Sequence, residues 1–258
     1  MTILILSNWS DKIAELNNLT APNKLQYAEK HGYDFENLKM PYEAEAHVHW
    51  LQILAEKLEE YDVVMTIGCD AVFVNQSIKI EDRITISRLQ NEQGKTELVY
   101  LSPEVILAHD LSCCWPIQIN NDVMIWPQGN LAKELIAKLI ADAPIWLEYP
   151  QLWQNHLWNL ICGGGFENHV RLVPARQMNA TYQPMTIRKT GELHPDGSPQ
   201  ATMVRTHGES SYALGDWVFH ALDMNLPNKL IVIKWALQYV GDGSWFPDKG
   251  EMAERVEL

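Results

Sequence analysis

Apolar and polar positions fall into alternating blocks along the first quarter of the chain. Residues 2–6 form a short apolar run that predicts a buried first strand, and Ser7-Asn8-Trp9-Ser10 opens the loop after it. Asn23 to His31 has helical character and meets a C-terminal stop at Gly32. Tyr33-Asp34-Phe35 reads as a short second strand. Residues 44–60 set Ala46, Trp50, Ile53, Leu54 and Leu58 at helical spacing, with Lys and Glu on the outer face. Residues 61–75 then give two strand-like segments flanking Gly68-Cys69-Asp70-Ala71. Strand, helix, strand, helix, strand is the rhythm of a parallel sheet covered by helices.

The rest of the chain is less regular. Residues 83–101 are hairpin-like, with a turn around Gln93-Gly94, and Ile117 to Trp126 suggests another strand. An amphipathic helix runs from Asn130, a natural N-cap, to about Asp142. A Trp-rich helix lies within 146–161 and ends at Gly163-Gly164-Gly165. Residues 184–215 are rich in Gly, Pro and polar groups without periodicity, which reads as a mobile functional loop or lid. Pro227 and Asn228 open a last helix from Lys229 to about Val240. No internal repeat or low-complexity linker interrupts the chain, so residues 1–258 are expected to form one domain.

Composition narrows the classes. A net charge of −13 argues against general affinity for phosphate backbones, although a local basic groove is compatible with it. Cys69, Cys113, Cys114 and Cys162 make no C-x-x-C spacing, so reduced thiols are expected rather than a zinc or redox site. The apolar start is too short and lacks the basic flank of a signal peptide, and no run reaches membrane-span length. A cytoplasmic protein is the expectation. The load of ten Trp and nine Tyr suits binding of sugar or base rings, with core packing the default for most of them; Trp126, Trp153 and Trp158 are the candidate stacking platform.

Asp70 is the residue with most chemical promise. A carboxylate between two strands at a sheet end is either a metal ligand or a turn residue. Ser7 and Asn8 stand at the end of the first strand, where open α/β sheets collect ligands. His220, inside Trp217-Val218-Phe219-His220-Ala221-Leu222, reads as a ligand or as a core histidine. Lys229 would meet a diphosphate at the start of the last helix, or be solvated. Asp122 is a candidate for sugar hydroxyls, with an Asx turn beside Asn120 and Asn121 the alternative. Arg188, Lys189, Arg205 and His207 would either close over phosphates or be surface charge.

The order of these pieces resembles the galactosyl/mannosyl/xylosyltransferase family of the yeast and plant Golgi. Asn23-Lys24, Tyr27-Ala28 and His31-Gly32-Tyr33-Asp34 look like its opening pattern. Trp50-Leu51-Gln52-Ile53 resembles its W-x-K-I helix, with Gln52 in place of Lys. Gly68-Cys69-Asp70-Ala71 is similar to its D-x-D-A motif, and Asn120-Asn121-Asp122-Val123 lies where N-x-G-V is expected. Gln151, Val173-Pro174 with Asn179 and Tyr182, and Gly215 to His220 complete a match over most of residues 20–235. Two departures stand out: Gly68 replaces the first Asp of D-x-D, and Asp223 replaces the Gly of H-x-x-G.

The resemblance implies an α/β GT-A-type nucleotide-diphospho-sugar transferase fold, a mixed and mostly parallel central sheet flanked by helices. It implies a nucleotide-binding half at about 1–115 and an acceptor or catalytic half at about 116–258. Asp70 and His220 would hold Mn²⁺ or Mg²⁺, and Gln151 would orient the sugar. The activity implied is metal-dependent, retaining transfer from a nucleoside-diphosphate sugar, UDP-sugar first, to a hydroxyl on a glycan, a lipid-linked sugar, a protein or a modified DNA base, in a bacterial or viral setting (host cytoplasm if viral). The alternatives are a phage-type DNA-base glycosyltransferase and a nucleotide-sugar-binding protein that has lost transfer. Asp223 is a candidate to compensate for Gly68. Asp70→Asn is expected to remove metal-stimulated transfer, and Gly68→Asp to leave activity intact or raise donor affinity.

Overall fold

The computed structural model describes residues 1–90, 96–109, 119–149, 151–181, 216–221 and 226–238. In chain order these form β1 (Ile3–Trp9), α1 (Ala14–His31), β2 (Asp34–Lys39), α2 (Ala46–Glu60), β3 (Val63–Ile67), β4 (Ala71–Phe73), α3 (Glu81–Ile84), β5 (Thr85–Gln90), β6 (Thr96–Leu101), β7 (Val105–His109), β8 (Ile119–Pro127), α4 (Asn130–Ala141), α5 (Ala143–Trp146), α6 (Trp153–Ile161), β9 (Val170–Val173), α7 (Ala175–Met178), β10 (Ala180–Thr181), β11 (Val218–His220) and α8 (Leu226–Gln238). The expected lid at 184–215, the turn at 93–94, Cys113, Cys114, Tyr182 and Asp223 lie outside the described residues.

The central sheet has the order β2-β1-β3-β8-β7-β9. β8 pairs antiparallel with both β3 and β7, and the other pairings are parallel, so one strand runs against five. This is the mixed, mostly parallel sheet expected from the sequence. The inner strands β1, β3 and β7 are buried on both faces, which is why they are apolar runs rather than alternations. Leu4, Leu6, Val64, Met124 and Trp126 face α2, α4 and α6. Ile3, Ile5, Met65, Ile67, Val123 and Ile125 face Tyr27 and Ala28 of α1 and the segment carrying Phe73 and Trp217. A third apolar group joins Leu16, Val72, Phe219, Val232 and Ile233, tying α1 and α8 to the small sheet β10-β11-β4.

Several elements differ from the sequence expectation for identifiable reasons. α1 begins at Ala14 rather than Asn23, because its buried face carries polar Asn17, Thr20, Asn23 and Lys24 beside Leu16 and Tyr27, which erases the hydrophobic period. The helix at 130 has Gly129 as its N-cap, and Asn130 is already helical. The 146–161 region divides into α5 and α6, with Leu152 between them at φ 48°. β7 is a short buried strand inserted between two others, and its five residues carry no separate period. Trp126 and Trp153 are core residues, and Trp158 packs against the same core, so none forms an open stacking platform. Cys69 and Cys162 are free thiols. No helix among the described residues is long and apolar enough to cross a membrane.

One polar pair braces the helical layer. Asp142 accepts from Lys138 Nζ at 2.9 Å and meets His156 Nε2 at 2.6 Å. Its pKa is lowered: burial opposes this, and the bonds from Lys138 and His156 overcome it. A carboxylate depressed in the folded state contributes stability above its unfolded value and loses it as pH falls through the folded value. Asp142→Asn is therefore expected to lower the melting temperature at pH 7 and to cost progressively less as the pH is taken down below the ordinary carboxylate range, measured by thermal denaturation across that series.

Candidate functional site

β1 and β3 run parallel, with Ser7 opposite Ile67, the last residue of β3, and β1 continues to Trp9 beside β2. The crevice outside such strand ends is where open α/β sheets bind ligands. Beyond β3 the Gly68 N–H donates to the Asp122 carbonyl at 2.7 Å, which extends the β3–β8 pairing by one step. The chain then turns into β4, and β11 lies antiparallel along it, placing His220 opposite Ala71. The Ala221 N–H bonds the Asp70 carbonyl at 3.0 Å. Three segments distant in sequence thus deliver Asp70, Asp122 and His220 to one point.

Their donor atoms lie within 4.8 Å of one another. His220 Nε2 is 3.1 Å from Asp70 Oδ1 and 3.3 Å from Asp122 Oδ2. Neither approach has hydrogen-bond geometry, so a fully buried ring nitrogen points at two carboxylate oxygens without a bond. Burial disfavours the charged imidazole, yet the carboxylates of Asp70 and Asp122 outweigh it and raise the His220 pKa above its usual value. Burial likewise opposes the charged form of Asp70, and His220 and Lys229 overcome it, holding that carboxyl far below the usual range. The Lys229 ammonium pairs directly with Asp70 Oδ2. Two hard carboxylates and one imidazole are a donor set suited to a divalent ion that accepts both oxygen and nitrogen, Mn²⁺ better than Mg²⁺. The buried, unbonded Nε2 fits that group.

A polar stripe of α1 holds this segment from beneath. Thr20 Oγ1 donates to the Cys69 carbonyl at 2.7 Å. Asn23 brackets Phe73, accepting from its N–H at 2.8 Å and donating to its carbonyl at 3.0 Å. Lys24 Nζ reaches the Gly68 carbonyl at 2.7 Å and Ser7 Oγ at 3.3 Å. Tyr27 and His31 bond the carbonyls of Ile78 and Gln76. Positions 20, 23, 24, 27 and 31 share one helical face, so a single helix fixes residues 68–78. Lys24 is fully buried, and that burial takes its pKa down to about 8, with Cys69, Asp70 and Asp122 opposing the fall.

Asp70 and Asp122 line a pocket of about 580 Å³, and His220 is fully buried next to them. Asn8, Trp9, Met40, Tyr42, His47, Leu152 and Lys229 are among its walls. Tyr42 is exposed at the rim, with Lys12 Nζ 3.8 Å above its ring.

Of the site residues expected from sequence, Asp70, His220 and Lys229 come together and Asn8 lines the same pocket. Ser7 lies below the pocket, fully buried against Lys24. Asp122, expected among sugar contacts, stands in the cation-type cluster. Gln151 sits in the turn before α6, and its neighbour Leu152 is the one that lines the pocket. Thr20 and Lys24 were missed as site residues. Their signal was a lysine on the same helical face as Leu16 and Tyr27, where a charge is out of place unless it has partners. The expectation for Gly68→Asp also changes. Gly68 does not have positive φ, but a Cβ there would meet Asp122 Cβ at 3.2 Å and Asp70 Oδ1 at 3.1 Å, and a third carboxylate would face two others.

The sequence matches no known family profile and no curated protein sequence. In three dimensions the chain is similar to a glycosyltransferase involved in glycosylation of the major capsid of PBCV-1, with a TM-score of 0.59 and 14% identity over 91% of this chain and 100% of that one. Weaker likenesses are the galactosyltransferase LgtC with donor and acceptor sugar analogues (TM-score 0.46, 11% identity, 96% of this chain and 99% of that one) and a Drosophila β1,4-galactosyltransferase 7 variant with manganese, UDP-Gal and xylobiose (0.44, 10%, 100% and 82%). The first establishes the fold, that of the GT-A-type nucleotide-diphospho-sugar transferases. At 14% identity it establishes nothing finer.

Proposed function

We propose that this chain is a metal-dependent retaining glycosyltransferase that moves a sugar from a nucleoside-diphosphate sugar, UDP-sugar first, to a hydroxyl acceptor. The observation that carries the reading is the convergence of Asp70 and Asp122, which line a pocket at the strand ends, with the buried His220 Nε2, which has no hydrogen bond. A divalent ion bound there supplies electrostatic stabilisation of the departing diphosphate. Asp70, Asp122 and His220 hold it, and Lys229 adds a cation at the start of α8. Trp9 and Tyr42 offer ring faces for the nucleoside base. Assignment of the retaining course, with Gln151 orienting the sugar, follows the sequence resemblance. The nucleotide then rests mainly on residues 1–115 and the acceptor approaches across 116–258, with Asp122, His220 and Lys229 shared at the junction. A glycan, lipid-linked sugar, protein or modified DNA base fits that acceptor role, and the cytoplasm is the proposed location. The reading as a binding protein without transfer loses its motive, because Asp122 provides the carboxylate that Gly68 lacks.

Thermal-shift measurements with UDP and other nucleoside diphosphates, with and without Mn²⁺, test the proposal. Ligand at about a hundredfold excess over Kd is expected to add roughly 3 kcal/mol of stability. UDP-sugar hydrolysis should then require the same ion. A melting temperature indifferent to every nucleotide and ion pair would overturn the assignment.

A further inference from the structure

We propose that positions 68 and 122 form a single carboxylate seat shared by two strands: β8 carries the acid, residue 68 must stay glycine to leave room for it, and the acid can be moved to the other strand without losing the site. The inference rests on the metal-dependent reading above and deepens it.

Gly68 and Asp122 sit opposite each other, one step beyond the last antiparallel β3–β8 pair, Ile67 and Val123. Side chains facing each other across such a pair normally have Cβ atoms about 4.5–5.5 Å apart. A Cβ built on Gly68 lies only 3.2 Å from Asp122 Cβ and 3.4 Å from its Cγ. The two strand ends therefore converge until the gap admits one side chain. That side chain also meets the other cluster members: Asp122 Oδ2 is 3.3 Å from the His220 nitrogen, and the Gly68 Cβ vector comes within 3.1 Å of Asp70 Oδ1. An acid on either strand would enter the same space beside the Asp70 carboxylate. Backbone conformation permits it, since residue 68 does not have positive φ. The family resemblance implies an aspartate at 68 and a glycine at 122, the reverse of what this chain carries.

The glycine is thus a consequence of the aspartate, and the pair is reciprocal. Asn120 supports the present arrangement by accepting the Asp122 N–H at 2.9 Å while receiving Asn179 Nδ2 at 3.1 Å. This leaves the acid on a braced strand.

The test is a double-mutant cycle in the full chain: Asp122→Gly, Gly68→Asp and the double exchange, each measured for MnCl₂ binding by calorimetry and for melting temperature. Asp122→Gly is expected to weaken Mn²⁺ by at least about 10- to 100-fold, the loss that removal of even an outer-shell partner causes. Gly68→Asp alone is expected to lower the melting temperature, because two side chains compete for one space. The double exchange is expected to recover the melting temperature and to bring Mn²⁺ affinity within about fivefold of the wild type, a non-additivity that distant sites do not show. Additive losses, with the double exchange no better than the worse single variant, would overturn the proposal. Should no variant, nor the wild type, bind Mn²⁺ while the melting temperatures remain non-additive, the shared seat stands and the metal reading falls.

Discussion

Asp70→Asn is expected to abolish Mn²⁺-dependent nucleotide binding and any transfer that depends on it, with a loss of at least about a hundredfold in Mn²⁺ affinity. The substitution keeps the shape of the side chain and removes the charge on which both His220 and Lys229 converge. An amide offers one oxygen of reduced basicity and an NH₂ that points a donor at His220 or at the ion. Its effect on folding works through the same contacts. His220 loses the carboxylate that most strengthens its charged form, so its pKa should fall toward and below the ordinary value because burial then acts with less opposition. Calorimetric titration with MnCl₂ and UDP, together with the His220 titration followed by NMR, checks both halves. Unchanged Mn²⁺ binding in a folded Asp70→Asn protein would reduce Asp70 to a turn residue held by Lys229.

Lys24→Met is expected to destabilise the fold by about 3 kcal/mol or more, the usual cost of removing one partner from a buried charged network. For a chain of this size that is roughly 6–12 °C in melting temperature. Methionine matches the length of the lysine stem but leaves the Gly68 carbonyl and Ser7 Oγ without their donor. Asp70 and Asp122 would also lose a positive charge that lies beneath them. The two readouts should therefore diverge: stability falls, while Mn²⁺ affinity in the folded fraction holds or rises, because the carboxylates have one fewer internal counter-charge. A melting temperature within a degree of wild type would mean that the buried ammonium supports nothing.

Much of the sheet was legible because strands buried on both faces leave apolar runs, and β1, β3 and β8 each did so. Asp70 was legible for the complementary reason: an acid between two such runs cannot be buried alone. α1 was read only in its second half, since the face it buries is polar and spends its groups on the backbone of residues 69–78. A hydrophobic period reports burial only where burial is apolar. Asp122 was read as a candidate for sugar hydroxyls, with a turn beside Asn120 and Asn121 the alternative; its partners His220 and Asp70 are set by strand pairing, which no local window contains. The crowding at Gly68 was invisible for the same reason. The family resemblance marked position 68 as lacking a carboxylate, and only the spacing of β3 and β8 sets Asp122 against it.

The pairing of β4 with β11 also orders events during synthesis. Val72 and Phe73 are made early, but the strand that covers their edge and brings His220 leaves the ribosome roughly 150 residues later, on the order of ten seconds at ordinary translation rates. Until then one edge of β4 lacks its partner strand, with Phe73 held by Asn23 and stacked on Tyr27 of α1. Fragments of this protein that stop short of residue 218 would keep that edge exposed and lack the imidazole altogether. A nascent or truncated chain therefore has Asp70 and Asp122 without the imidazole that faces both in the complete fold, and a strand edge open to pairing.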